Sequence, residues 1–235
     1  MGSEEPTQEQ GGGRDPRLIA LVVFALIAVG VVAAILIARG GGGGSDSSTA
    51  TGANGCKEAE APEPKEVSLP APKQTVKKGE KLTAVVQTSC GSFDIALATK
   101  EAPKTVNSFA YLAEEGFYDG LTFHRIVPEF VIQGGDPLGT GSGGPGYKVV
   151  EKPPASLAYT KGVVAMAKSG AEPPGTSGSQ FFVVTSADAG LPPEYALVGK
   201  VDRGMGVVEK IGHVPTEGEN PTEPVVMEKI TIEKG

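Results

Sequence analysis

Tryptophan is absent from this chain of 235 residues, and histidine occurs only twice. No group of carboxylates lies near His124 or His213 at the spacing that a metal ion requires, so we expect no metal site. We expect His124 to hydrogen-bond within the fold instead. Clustered basic residues are also missing. The net charge is -7, which argues against nucleic acid as a partner, because phosphate binding needs clustered Lys and Arg.

Two glycine-rich segments lack the residues that would make them catalytic loops. No Lys-Ser or Lys-Thr pair follows residues 139–146, so they do not form a phosphate-binding loop of the common type. Residues 175–179 miss the spacing of a nucleophile elbow, and no histidine is placed to serve a serine there. The 34 glycines and 19 prolines therefore indicate linker segments and turns.

The long uncharged run of the chain is Leu18–Ala38, 21 residues that follow a polar tail of residues 1–17. As a helix it would cross the roughly 30 Å hydrocarbon core of a bilayer, which predicts a transmembrane helix. A cleaved signal peptide is the alternative, but its apolar part is usually about 7–15 residues long. Arg14 and Arg17 precede the run and Arg39 follows it. The positive-inside rule thus predicts a single-pass membrane protein whose C-terminal domain lies outside the cytoplasm.

Residues 39–78 are predicted to be a linker, first rich in Gly and Ser and then in Pro, Glu and Lys. This composition favours flexible and extended chain that buries little core. Cys56 and Cys90 are the two cysteines of the chain and bracket the second part of the linker. They would form a disulfide in an oxidising compartment, and the alternative is two free thiols. The globular domain is predicted to cover residues 79–235.

Beyond Lys81, short alternating runs rich in Val, Ile, Phe or Thr and bounded by Gly, Pro or Asp predict strands. The predicted strands are Leu82–Thr88, Phe93–Leu97, Leu121–Val127, Val131–Gly134, Val163–Ala167, Phe181–Thr185, Ala196–Val201 and Val225–Ile232. Helical spacing of apolar residues predicts helices at Pro103–Glu115 and Met205–Ile211. Many short strands with few helices indicate a mainly β domain. It is either an antiparallel sandwich or a closed barrel, and periodicity does not choose between these.

A cation, an amide and several apolar side chains occur together in Phe123–Pro137. Alternation predicts that Phe123 and Arg125 lie on one face of a strand. Taken alone, this strand favours an ion pair between Arg125 and a surface carboxylate, because a cation among apolar groups is costly unless it is neutralised or used by a ligand. The segment Gln180–Phe182 adds a second amide and two aromatic rings. Together the two clusters indicate a groove for a polypeptide segment with an apolar side chain.

Four ordered motifs between about Val85 and Glu233 resemble the signature of the cyclophilins, which are peptidyl-prolyl cis-trans isomerases. They read FHRIVPEFVIQGGDP with the glycine-rich run after it, GVVAMA, GTSGSQFF and VGKV. With the apolar run near its N-terminus, the chain resembles a membrane-anchored bacterial form of this family. The resemblance implies a closed eight-stranded antiparallel β-barrel capped by two α-helices, with the active groove on its outer surface. It implies no cofactor.

The resemblance also implies roles for single residues. Catalytic roles would fall to Arg125, Phe130 and Gln133, and substrate contacts to Val131, Ala167, Lys168, Gln180, Phe182, Leu191 and Tyr195. The partners would be proline-containing polypeptides, either unfolded or newly exported. The alternative is a non-catalytic module or chaperone that binds proline-containing peptides.

The chain departs from the family pattern at three positions in the groove. The family commonly has Met where this chain has Val131, and it often has His where this chain has Tyr195. It often has Trp near Leu191, where the aligned position here is Gly190. Because that Trp contacts cyclosporin in the family, we expect weak or no cyclosporin binding.

Overall fold

The structure is a computed structural model that describes Gly52 and residues 55–235. The predicted tail, transmembrane helix Leu18–Ala38 and first part of the linker lie outside these residues and stay predictions. Within the described part of the chain, no helix is both long and apolar enough to span a bilayer.

Twelve strands and two helices make up the described chain, and most lie where the sequence predicts them. The predicted bounds of the first and fourth strands are confirmed to the residue. The strands are β1 (Leu82–Thr88), β2 (Gly91–Leu97), β3 (Arg125–Val127), β4 (Val131–Gly134), β5 (Val149–Val150), β6 (Val163–Met166), β7 (Thr176–Ser177), β8 (Phe181–Val184), β9 (Leu197–Arg203), β10 (Thr216–Glu217), β11 (Asn220–Pro221) and β12 (Met227–Lys234). The helices are α1 (Pro103–Glu114) and α2 (Met205–Gly212).

Eight of these strands form one antiparallel sheet in the order β12-β1-β2-β9-β6-β8-β4-β3. The expectation of a closed barrel is wrong, because the edge strands β12 and β3 do not pair. One isolated bridge, between Thr122 and Val226, joins the segments that precede them. The reason is that β3 is three residues long, whereas the sequence predicted a strand from Leu121. The result is a curled sheet with two helices.

Strand alternation divides the apolar side chains between the two faces of the sheet. Phe181 and Val183 of β8 lie in the larger core, on which both helices also pack. Phe182 and Val184 belong to a second, smaller set of apolar residues on the opposite face, which we call the outer cluster. Four residues of one strand thus supply two cores, and the groove predicted from the sequence lies beside the outer one.

Helix α1 begins at Pro103, where a fixed φ and a missing N–H suit the first turn. It ends at Glu114, and Gly116 follows with a φ of 66°, a conformation that glycine adopts easily. Val106, Phe109 and Leu112 point into the larger core. Helical spacing predicted this element to within one residue.

Residues 57–78, which we call the strap, form neither helix nor strand and are hydrogen-bonded to the rest of the domain. Main-chain hydrogen bonds join Lys65 N–H to the Pro137 oxygen and Leu69 N–H to the Pro145 oxygen. At its C-terminal end the Asn107 side chain of α1 binds three main-chain groups of strap residues. A disulfide between Cys56 and Cys90 ties the start of the strap to the turn after β1.

Candidate functional site

One row of cross-strand neighbours runs over the outer face of the sheet. Arg125 of β3 pairs with Gln133 of β4, Gln133 pairs with Phe182 of β8, and Phe182 pairs with Ala165 of β6. Directly opposed residues on one face bring their side chains into contact. The sheet register therefore places the cation, the amide and the aromatic ring side by side.

A chain of polar side chains continues from this row. Arg125 Nη1 donates to Gln133 Oε1 at 3.3 Å, and Gln133 Nε2 donates to Gln180 Oε1 at 3.0 Å. Gln180 Nε2 in turn donates to the main-chain oxygen of Gly143 at 2.9 Å. Because each amide is held by both neighbours, the donors and acceptors of the groove point in fixed directions.

The guanidinium of Arg125 is also held by a carboxylate that sequence reasoning missed. Arg125 Nε donates to Glu219 Oε2 at 2.6 Å and Nη2 donates to Glu219 Oε1 at 3.2 Å. Glu219 lies in the turn between β10 and β11, 94 residues from Arg125. No motif or periodicity marks this turn. The ion pair that the strand favours on its own is present, and it lies in the groove.

The apolar residues that the resemblance assigned to the pocket come together in the outer cluster. Val131 and Phe182 are buried there, and partly buried residues border them, namely Phe130, Ala167, Leu191 and Tyr195. The rings of Phe182 and Tyr195 meet edge to face with centroids 5.5 Å apart. Tyr195, where the family often has His, thus forms an aromatic wall.

The tight turn between β3 and β4 aims Phe130 at this cluster. Glu129 has a φ of 56°, the one positive value outside glycine among the described residues. Such a conformation costs of order 1–3 kcal/mol and persists where its surroundings enforce it. Phe130 N–H donates to the Val127 oxygen, which closes the turn.

Lys168 and Ala167 occupy one end of the groove. The side chain of Lys168 is 4% exposed, and its Nζ lies 3.4 Å from Glu194 Oε2. The ammonium also lies 5.5 Å from the centre of the Tyr195 ring. The N–H of Ala167 donates to the Gln180 oxygen at 2.8 Å, so this donor is already used within the sheet.

Tyr159 supports the aromatic wall and was not identified from the sequence. It is fully buried, and its ring centre lies 5.8 Å from that of Tyr195. Burial raises the pKa of Tyr159 to about 12, although its hydrogen bond to the Tyr195 main chain opposes the shift. Its hydroxyl group donates to the Tyr195 main-chain oxygen at 2.6 Å.

Two expectations about residues next to Arg125 are wrong. Neither ring nitrogen of His124 has a hydrogen-bond partner among the described residues, and burial lowers the pKa of this side chain. Phe123 does not share a face with Arg125, because it is fully buried in the larger core. Regular alternation starts only where β3 begins, at Arg125.

A buried carboxylate holds the loop that follows β4. The Asp136 oxygens accept main-chain N–H groups of Leu138 at 2.8 Å, Thr140 at 2.9 Å and Gly141 at 2.5 Å. The same loop carries Gly143, whose oxygen accepts from Gln180. Asp136 thereby supports the polar side of the groove.

A curled antiparallel sheet whose outer face combines one arginine, two amides and an apolar pocket defines a site for an extended peptide with an apolar side chain. A family model described as cyclophilin type peptidyl-prolyl cis-trans isomerase matches residues 83–232. The chain belongs to this family, and its reaction is the cis-trans isomerisation of peptidyl-prolyl bonds.

Individual relatives agree with this assignment. The chain is 40% identical to peptidyl-prolyl cis-trans isomerase B of Streptomyces anulatus, over 66% of this chain and 98% of the relative. It is 44% identical to peptidyl-prolyl cis-trans isomerase-like 1 of Neurospora crassa, over 57% of this chain and 83% of the relative.

The fold also matches solved structures. A cyclophilin type isomerase of Cryptosporidium parvum superposes with a TM-score of 0.62 and 31% identity, covering 66% of this chain and 99% of the other. A structure of that protein in the presence of the dipeptide Ala-Pro gives a TM-score of 0.61 at 30% identity, covering 65% and 99%.

Proposed function

We propose that residues 79–235 accelerate rotation about X–Pro bonds in unfolded or newly exported polypeptides, with Arg125 as the catalytic residue. The position of its guanidinium carries the proposal. It lies 3.3 Å from the Gln133 amide and two strands along one row from the Phe182 ring. A proline ring seated in the outer cluster would thus bring its nitrogen towards this cation.

Amide resonance makes the uncatalysed rotation slow, with a barrier of about 18–20 kcal/mol. In the twisted transition state the prolyl nitrogen becomes pyramidal and regains its lone pair. Arg125 would donate a hydrogen bond to that lone pair, which the planar ground state accepts poorly. An interaction made only in the transition state raises the turnover rate, about tenfold for each 1.36 kcal/mol. No nucleophile or proton transfer takes part.

Different residues would bind the proline ring and the peptide main chain on the two sides of the rotating bond. Phe130, Val131, Phe182 and Leu191 would receive the proline ring, and Gln133 and Gln180 would orient the peptide main chain. The Ala-Pro dipeptide in the related Cryptosporidium structure supports this ligand class. Main-chain groups of Ala167 and Lys168 would also contact the peptide, except the Ala167 N–H, which is bonded to the Gln180 oxygen.

Replacement of Arg125 by Ala tests the catalytic role. We expect kcat/KM on a short Ala-Pro peptide, measured by NMR exchange, to fall by roughly 100-fold, the usual cost of losing one transition-state donor. Arg203→Ala is the matched control, because Arg203 pairs with Asp94 on the surface with its side chain 74% exposed. Unchanged turnover in the Arg125 variant would refute the mechanism.

We also propose that Leu18–Ala38 anchors the chain in a membrane with the isomerase domain outside the cytoplasm. The uncharged 21-residue run supports the anchor. The Cys56–Cys90 disulfide supports the orientation, since disulfides persist in oxidising compartments. Protease added to intact cells should digest the domain. Digestion only after lysis would reverse the orientation.

A further inference from the structure

The carboxylate of Glu219 meets the guanidinium of Arg125 side-on. Arg125 Nε and Nη2 donate to its two oxygens at 2.6 and 3.2 Å, while Nη1 donates to Gln133 Oε1 at 3.3 Å. A guanidinium carries five N–H groups in a rigid plane, so these contacts use three of them. The other two, one on Nη1 and one on Nη2, have no acceptor in the part of the chain that the structure describes.

Main-chain hydrogen bonds fix the position of the Glu219 backbone relative to β3. Glu217 and Asn220 pair across a two-residue turn in which Gly218 has a φ of 65°, the value that the first position of a type II′ turn requires. The main-chain oxygen of Glu219 accepts the Ile126 N–H at 2.8 Å. Glu219 is therefore hydrogen-bonded to Ile126, the residue that directly follows Arg125.

We propose that Glu219 is a positioning residue for the isomerase reaction. It holds the guanidinium plane of Arg125 so that the two remaining N–H groups point outward, towards the prolyl nitrogen. The inference rests on the proposed catalytic role of Arg125. An arginine side chain has many rotamers, and ordering it before the substrate arrives removes that entropy cost from the transition state.

The contact is poorly placed to serve stability instead. The Glu219 side chain is 45% exposed, and it belongs to a turn rather than to either apolar core. Ion pairs with a solvent-exposed partner contribute little to folding. A change at Glu219 that leaves the fold intact should thus act mainly on the reaction.

Glu219→Gln, which removes the charge and keeps the length, tests the proposal against Glu217→Gln. Glu217 carries the same charge in the same hairpin, is exposed, and does not contact Arg125. On a short Ala-Pro peptide we expect the Glu219 variant to lose about tenfold or more in kcat with KM within about twofold. The Glu217 variant should match the parent, and Glu219→Asp should recover part of the loss.

A spectroscopic readout separates orientation from a general loss of structure. The Arg125 Nε–H resonance, assigned through its absence in Arg125→Ala, should exchange slowly in the parent. It should exchange faster in Glu219→Gln and be unchanged in Glu217→Gln.

The outcomes are distinct. If Glu219→Gln keeps or raises kcat while Arg125→Ala loses it, the positioning role is refuted and the proposed function stands. If Arg125→Ala itself retains full turnover, the proposed function fails.

Discussion

Tyr159 and Tyr195 are joined by two hydrogen bonds that share one hydroxyl group. Tyr159 Oη donates to the main-chain oxygen of Tyr195 at 2.6 Å and accepts from the Tyr195 N–H at 2.9 Å. Both main-chain groups of Tyr195 are thus fixed by a side chain from another segment. The ring of Tyr195 can therefore act as a stable wall against Phe182.

Replacement of Tyr159 by Phe should loosen this wall while keeping the apolar volume. We expect the free energy of unfolding to fall by about 1–3 kcal/mol, because two partly buried main-chain groups lose their partner. KM for an Ala-Pro peptide should rise. Tyr147→Phe is the control, since its hydroxyl contacts Ser108 and its ring packs on the larger core. An equal rise in KM in both variants would contradict the role of Tyr159.

The same residue predicts how stability depends on alkaline pH. The pKa of Tyr159 rises from 10.0 to about 12, so the unfolded chain releases this proton first as pH increases. The stabilisation that Tyr159 gives the protonated fold is complete below pH 10 and is lost between about pH 10 and 12. Denaturant titrations at several pH values should show a smaller alkaline loss in Tyr159→Phe than in the parent. An equal loss of stability in the variant and in the parent would contradict the raised pKa of Tyr159.

Sequence reasoning predicted what depends on neighbouring residues and missed what depends on distant ones. Local alternation predicted β1 and β4 to the residue, and the family motifs named residues that lie together on the outer face of the sheet. Local alternation did not predict that β3 begins only at Arg125. This late start leaves the sheet open. Glu219 was missed because its contact spans 94 residues and comes from a two-residue hairpin turn that lies outside the family motifs.

Asp136 should support catalysis through its loop. Its carboxylate accepts three main-chain N–H groups while only 2% exposed. In Asp136→Asn an amide NH₂ replaces one acceptor and faces a donor, so we expect about 1–3 kcal/mol less stability. Because the loop carries Gly143, which holds Gln180, KM should also rise. Asp119→Asn, at an exposed turn after α1, is the control. An unchanged KM in Asp136→Asn would show that the loop does not support substrate binding in the groove.

Loss of the disulfide between Cys56 and Cys90 should destabilise the domain. The bond closes a loop with a sequence separation of 34 residues, worth roughly 3–4 kcal/mol in the chain-entropy model. Urea titrations with and without reductant should show this difference in residues 52–235. The double variant Cys56→Ser and Cys90→Ser should be as unstable as the reduced parent, and reductant should not change its stability. Equal stability of the oxidised and reduced forms would contradict the prediction.

Cyclosporin should bind weakly, because no tryptophan is available near Leu191 to contact it. At the aligned position, Gly190 has a φ of 63°, and a Cβ built there meets nothing within 4 Å. A side chain thus has room, but it must accept a left-handed backbone that costs roughly 1–2 kcal/mol. Gly190→Ala carries the same strain without a ring and is therefore the matched control for Gly190→Trp. By calorimetry, we expect the Trp variant to bind cyclosporin about tenfold more tightly than the Ala variant, since a buried aromatic contact adds area and ring interactions. If the parent binds as tightly as the Trp variant, the missing tryptophan does not determine affinity, and the Tyr195 wall becomes the next position to change.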